Sequence, residues 1–454
     1  MITARTSGRL AALVAAALLA ASAPALATET PTHVEGELAS GATWVMDVPE
    51  NWNGTLLLFS HGYQAAGGPN PAENAPSDEA ARIALDEGYA LIGSSYATTG
   101  WAVEQAVPDQ LATIDEFTAR FGPARRTIAW GQSYGGLVTT TIAERHPDRV
   151  DATLSMCGLV QGGVANWNST LDPAYAVKTL LAPESDYPLT GFADAQQASQ
   201  AATAMTGVVE RAQTTPQGRA RIALAAALHN IPGHNDPAQP EPGERDWEAQ
   251  QRNQYEVMTR FPVTAMQWRQ EAESRAGGNM SWNTGVDYAR MLADSPHAPE
   301  IAALYDAAGL SLRDDLDALA RAPRIEADPG AVDYMTRHVA FTGRLSAPQL
   351  DIHTTGDGLV PVQVTSAHRD AVERAGSGDL LRQAFVDRPG HCTFTAGEQL
   401  AALHALETRL DDGVWRGTDP AELNAAAEAE QPGAGHAYLR FRPTPYPRPY
   451  DLAE

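Results

Sequence analysis

A serine that is to attack a carbonyl must be held on a sharp, open turn, and Gly131-Gln132-Ser133-Tyr134-Gly135-Gly136 offers one. The apolar run Thr127–Trp130 reads as a strand that stops at Gly131, and Leu137–Arg145 reads as the helix that follows. Small residues around Ser133 tolerate a strained strand-to-helix turn, and a helix N-terminus behind it favours developing negative charge. G-x-S-x-G alone is a weak signal in a chain with 38 glycines. The strand before it and the helix after it make Ser133 the candidate nucleophile.

A serine hydroxyl needs a positioned base, and an imidazole base needs a carboxylate to orient it. His391 follows the apolar run Phe385-Val386 through the turn Asp387-Arg388-Pro389-Gly390, shortly before another helix. The other histidines fit less well: His146 ends a helix, His353 lies inside a strand, and His368 and His404 lie on helices, where they read as structural or solvated. In Leu350-Asp351-Ile352-His353-Thr354-Thr355-Gly356-Asp357 the strand ends at Gly356, which leaves Asp357 at its C-terminal edge. Active groups of open α/β sheets gather at that edge. Asp351 stands at the wrong end of the strand, and Asp387, close before His391, reads as a partner for Arg388 or a loop cap.

These three residues need a scaffold, and the flanking pattern supplies one. Short strands are expected at His33–Leu38, Thr43–Val48, Thr55–Ser60, Tyr89–Ser94, Thr127–Trp130 and Val150–Cys157. Helices are expected from Ser77, over Val103–Phe121 and over Leu137–Arg145. Such alternation marks a parallel sheet covered on both faces. From Gly158 to Ala347 the pattern turns helical, as in Ala193–Ala212, Gly218–His229, Trp247–Thr259, Gly285–Ala293 and Pro299–Ala308. Strands resume at Gln349–Thr355 and Gln383–Asp387, with helices at Val362–Ala375 and Ala396–Leu410. The Pro-rich end, FRPTPYPRPY, reads as an extended strap. One sheet is thus expected from 28–157 and 348–454, with 158–347 as a helical insertion.

The order Ser133…Asp357…His391 resembles that of the α/β-hydrolase family, over most of the chain apart from the insertion. The resemblance implies a mostly parallel sheet of about eight strands, with a helical cap inserted between strands 6 and 7 to roof the active site. It also implies an oxyanion hole of two backbone amides. One is that of Tyr134; the other is assigned to Tyr63, because His61-Gly62-Tyr63 matches the family's HG turn, with His61 structural. Trp167, Trp247, Trp268 and Trp282 of the cap would line a pocket or pack the cap's own core. Cys392 adjoins His391 and Cys157 ends a strand at the same sheet edge, so the two cysteines are expected to form a disulfide that anchors the His391 loop.

Residues 1–27 have the layout of a secretory signal peptide: Arg5 and Arg9, the apolar stretch Leu10–Ala21, and the small-residue site Ala25-Leu26-Ala27. The expectation is an exported protein, extracellular or in the cell envelope, with no membrane attachment after cleavage. A formal charge of −24 disfavours nucleic acid and anionic membranes as partners. No metal or cofactor motif is present, and none is expected. The reaction expected is acyl transfer to water, first on carboxylic esters. The alternative is an exported aminopeptidase of the prolyl or tripeptidyl type, which the elbow and large cap also resemble. Glu184, Asp186, Glu244, Asp246 and Glu248 are then the candidates to bind a substrate's amino terminus. A silent binding protein on the same fold is a third reading. Small-molecule esters or short peptides are the expected ligands.

Overall fold

In β3 (Thr55–Ser60), Leu56 and Leu58 face one hydrophobic core while Leu57 and Phe59 face another, as the two-residue period of a strand dictates. A strand buried on both faces belongs inside a layered sheet. The computed structural model describes residues 31–450, with Met1 and Leu452, and it contains that sheet. The proposed leader, apart from Met1, lies outside the described residues.

The other strands are β1 (Thr32–Glu37), β2 (Thr43–Val48), β4 (Ala90–Ser94), β5 (Arg126–Gln132), β6 (Ala152–Met156), β7 (Gln349–Gly356), β8 (Leu381–Pro389) and β9 (Tyr438–Leu439). They run in the order β1-β2-β4-β3-β5-β6-β7-β8-β9. From β4 through β8 all pairings are parallel, while β1, β2 and β9 are antiparallel to their neighbours. The sheet therefore has nine strands against the eight or so expected. The addition is the two-residue β9, too short to carry a period of its own.

Within the sheet-forming stretches lie α1 (Asp78–Asp86), α2 (Ala106–Phe121) and α3 (Tyr134–Arg145). Between β6 and β7 come α4 (Gly163–Leu181), α5 (Ala195–Ala212), α6 (Pro216–Ala227), α7 (Trp247–Pro262), α8 (Arg269–Ala276), α9 (Tyr288–Asp294), α10 (Ala298–Ala308), α11 (Leu312–Arg321) and α12 (Pro329–Val339). Then follow α13 (Val364–Arg374), α14 (Ala396–Asp412) and α15 (Pro420–Glu430). Helices α1, α14 and α15 cover the Leu57 face. The Leu56 face is covered by α2 and α3, together with Val164 and Trp167 of α4 and Met335 of α12. Ala272 and Ala276 of α8 join that face too, while the remainder of α4, with α5–α7 and α9–α11, builds a separate core around Met205, Leu224 and Tyr305.

Between α7 and α8 the chain makes a π-helical turn, Val263–Trp268. Pro262 has no N–H to give the carbonyl four residues back, so the helix loses a bond there and widens. The insertion docks through α8: Glu271 accepts from the Trp101 amide at 2.7 Å, and Arg275 donates to the Thr99 carbonyl at 2.7 Å.

The Pro-rich end crosses to α4. Tyr446 donates its hydroxyl to the Ala165 carbonyl at 3.1 Å, and Arg448 meets both oxygens of the fully buried Asp172 at 2.8 and 2.7 Å. Burial pushes the Asp172 carboxyl up, and the Arg448 guanidinium opposes it. Removing one partner of a buried pair strands the other charge. Arg448→Met should therefore lower the unfolding free energy by about 3–5 kcal/mol, and the double change Asp172→Leu with Arg448→Met should cost less. Urea midpoints of the two variants check this; equal losses would contradict it.

Candidate active site

Ser133 sits between β5 and α3 with φ 57° and ψ −122°, a conformation L-residues rarely adopt. Glycines make the turn possible. A Cβ on Gly135 would lie 1.8 Å from the Ser60 carbonyl oxygen, and one on Gly131 would lie 2.5 Å from that of Gly135. The Ser133 amide donates to the Met156 carbonyl at 2.9 Å, which ties the turn to the end of β6.

His391 stands in the turn after β8. The Gly390 amide donates to the Gly356 carbonyl at 2.9 Å, and the Thr354 hydroxyl donates to the Gly390 carbonyl at 2.8 Å, so the turn is pinned to β7. His391 Nε2 lies 2.7 Å from Ser133 Oγ, and its Nδ1 lies 2.6 Å from Asp357 Oδ2. Three residues far apart in the chain meet at the C-terminal edges of β5, β7 and β8.

Asp357 is fully buried. Its Oδ1 accepts from the amides of Leu359 and Val360, at 2.9 and 2.8 Å. Burial pushes its carboxyl up, but the charge of His391 and hydrogen bonds from His353 and His391 outweigh that and hold it well below the usual carboxylate range. The rival acids are engaged elsewhere. Asp351 pairs with His368 at 2.7 Å. Arg388 bonds Glu398 at 2.6 and 3.0 Å, so of the two readings of Asp387, partner for Arg388 or loop cap, the first does not hold.

Cys157 and Cys392 form a disulfide across 235 residues of sequence, with Cα atoms 5.4 Å apart. Cys157 directly follows β6, whose sheet neighbours β5 and β7 lead into Ser133 and Asp357. Both cysteines have positive φ, 46° and 55°.

A narrow cleft of about 40 Å³ opens at Ser133. Tyr63 and Tyr134 line it, with Trp101 from the sheet side and Trp167, Phe261 and Trp268 from the insertion. Tyr134 opens α3, so its amide has no partner within the helix. Gly62 abuts Ser133: a Cβ there would lie 3.7 Å from Ser133 Cβ. A wider groove of about 470 Å³ adjoins the cleft and includes His391, Arg260, Val263 and Leu359. Of the tryptophans singled out earlier, Trp167 and Trp268 line the cleft, Trp282 packs on Tyr450, and Trp247 begins α7.

One histidine at the site was passed over in the sequence, and another, read there as structural or solvated, has a structural role beside the acid. His229, at the end of α6, lines the cleft with its Nδ1 2.6 Å from Ser169 Oγ; burial pulls its ring down to about 4 and keeps it neutral. His353 Nε2 lies 2.8 Å from the Val360 carbonyl and 3.5 Å from Asp357 Oδ2, so it braces the acid loop. Only the i to i+4 spacing of His353 and Asp357 could have hinted at the second. Nothing local marks the first. His61 is buried and stacked on Tyr96 at 4.1 Å. Glu184, Asp186, Glu244, Asp246 and Glu248 are all exposed, and none lines either cavity.

A family model described as the prolyl oligopeptidase family matches residues 92–212, the segment that contains Ser133. Over 433 residues the chain is 32% identical to an o-phthalyl amidase from Xanthobacter agilis, covering 90% of this chain and 94% of that relative. Among solved structures, feruloyl esterase B from Aspergillus oryzae is similar with TM-score 0.39 and 15% identity, over 85% of this chain and 81% of that one. An acylaminoacyl peptidase in complex with a peptide chloromethyl ketone is similar with TM-score 0.38 and 12% identity, over 80% of this chain and 38% of that one. This chain thus spans well under half of that peptidase.

The disulfide bounds a long stretch of chain and fixes the turn beside His391. Cys157→Ser with Cys392→Ser should lower the unfolding free energy by about 2–5 kcal/mol. Amide hydrogen exchange at 390–394 should quicken in the same variant. Unchanged exchange there would show that the turn holds without the bridge.

Proposed function

The chain belongs to the α/β-hydrolase superfamily of serine hydrolases, in the family of the Xanthobacter agilis o-phthalyl amidase, and from that premise we propose that it hydrolyses amide and ester bonds of small acyl compounds through an acyl-enzyme on Ser133. The observation that carries this reading is the continuous chain of contacts from Ser133 Oγ to His391 Nε2, 2.7 Å, and from His391 Nδ1 to Asp357 Oδ2, 2.6 Å.

In the proposed cycle His391 takes the Ser133 proton as Oγ attacks the carbonyl carbon, and Asp357 fixes the imidazole tautomer and supports the imidazolium. The Tyr63 and Tyr134 amides receive the oxyanion. The intermediate collapses as His391 gives its proton to the leaving atom, and water repeats the sequence on the acyl-enzyme. Among the residues lining the cleft, the aromatic rings favour an apolar or planar acyl group, and its narrowness favours a small one.

Esters remain good substrates on this reading, since the same triad cleaves them with less help from the general acid. Amides are added because the relative's name is that of an amidase and because His391 reaches the groove a leaving group would occupy. The aminopeptidase alternative has the family match at 92–212 in its favour. It also needs a carboxylate beside the nucleophile to hold an α-ammonium group, and neither cavity is lined by Asp or Glu. The acyl-hydrolase reading is therefore preferred. Export is part of the proposal: the leader-like residues 1–27 and the disulfide both suit an oxidising compartment outside the cytoplasm.

Ser133→Ala should keep the fold and lower turnover of a p-nitrophenyl ester by about 10⁴-fold or more, and should abolish labelling by a fluorophosphonate. Asp357→Asn should lower kcat by about 10⁴-fold while labelling persists slowly, because the nucleophile stays and the imidazole is held in the wrong tautomer. Wild-type rates in either variant would refute the assignment. Parallel assays with anilides, esters and aminoacyl p-nitroanilides separate the amidase reading from the aminopeptidase one.

A further inference from the structure

The two cavities at the nucleophile divide the catalytic groups between them. Ser133, Tyr63 and Tyr134 line the narrow cleft, and His391 lines the wider groove. When the tetrahedral intermediate collapses, the proton must pass from His391 to the leaving atom, so the leaving group lies on the His391 side. On the proposed reading of this site, the groove is the leaving-group subsite and the cleft holds the acyl part.

The groove has an apolar wall and one charged side chain. Val263, on the π-helical turn, and Leu359 are among the few large apolar residues exposed in the described structure, at 39% and 38%, and both line it. Arg260, in the last turn of α7, is the only ionisable residue there besides His391. Its Nε donates to the Glu256 carbonyl at 3.3 Å, and among the described residues no carboxylate pairs with its guanidinium. Other arginines, among them Arg145, Arg269 and Arg324, also meet carbonyls or hydroxyls and no carboxylate, but none of these lines the groove. A guanidinium that lines one groove together with an exposed apolar ledge and His391 matches a ligand with an apolar body and one anionic end. A planar fork of donors favours a carboxylate at that end.

We propose that Arg260 is a specificity residue that binds a carboxylate on the leaving group, so that the amides this enzyme handles best are N-acyl amino acids with apolar side chains. The atoms balance without a further reactant. Ser133 Oγ forms a bond to the acyl carbon, the C–N bond breaks, and the amino acid leaves with the proton that His391 took from Ser133. Water then releases the acyl part as its carboxylate. Arg260 takes no part in these steps; it holds the far end of the amine so that its nitrogen stays within reach of His391.

The full-length protein, purified after export, would be assayed on N-benzoyl-leucine and N-benzoyl-leucinamide, which differ only in the charge of the leaving group. Phenyl butyrate serves as a neutral ester. In the wild type, kcat/KM for the acid should exceed that for the amide by about 10–100-fold, and the excess should shrink at high salt. In Arg260→Gln the ratio should fall to near one. Arg260→Lys should keep part of it, since the charge remains while the fork is lost. Far-UV circular dichroism and melting temperature establish that both variants are folded.

A wild-type ratio near or below one would overturn the proposal, as would a ratio unchanged in Arg260→Gln. Turnover of phenyl butyrate with neither benzoyl compound cleaved would also overturn it and leave the serine-hydrolase reading standing. A preference that follows a carboxylate on the acyl half instead would overturn it in the same way. No turnover of phenyl butyrate, with no fluorophosphonate labelling of Ser133, would defeat the reading of the site and this inference together.

Discussion

The hydrogen bond between a fully buried carboxylate and a mostly buried imidazole, Asp357 Oδ2 to His391 Nδ1, organises the rest of the structure. A buried charge is costly unless every lone pair is met. Asp357 meets this through two amides of its own loop, through His391, and through His353 below it. The acid is thereby ionised and immobile, and the ring it holds can turn only one nitrogen towards the nucleophile. The strained serine turn, the pinned Gly390 and the disulfide all serve to place Ser133 Oγ at the end of that short chain.

Much of this was legible in the chain, because the signals are local. A strand that stops at glycine, a serine and a helix specify the turn at Ser133 whatever surrounds it. Likewise Asp357 and His391 each follow an apolar run, and the fold brings both to the strand ends beside Ser133. The pairing of Cys157 with Cys392 was legible for a different reason, since there are no other cysteines to confuse it.

The misses share a cause. Helix α4 is buried nearly all round, with Asn168, Ser169, Thr170 and Asp172 inside, so it shows no apolar stripe. Asn168, Ser169 and Asp172 are met by Trp282, His229 and Arg448, from elements up to 276 residues away. No window along the chain could reveal that. Arg260 was invisible in the same way: it is an exposed arginine near the end of a helix, and only the fold brings it to the groove that His391 also lines. The acids singled out for substrate binding failed for the opposite reason. In a chain this acidic, a carboxylate carries little information until its surroundings are known.

The Cys157–Cys392 bridge encloses the whole of α4–α12 within one covalent ring, whose closure lies at the sheet and not in the insertion. The two feet of the insertion run into β6 and β7, neighbouring strands whose spacing the sheet fixes. Because β6 and β7 pair directly, the helices between them lengthen the ring without displacing the strand ends that carry Ser133, Asp357 and His391.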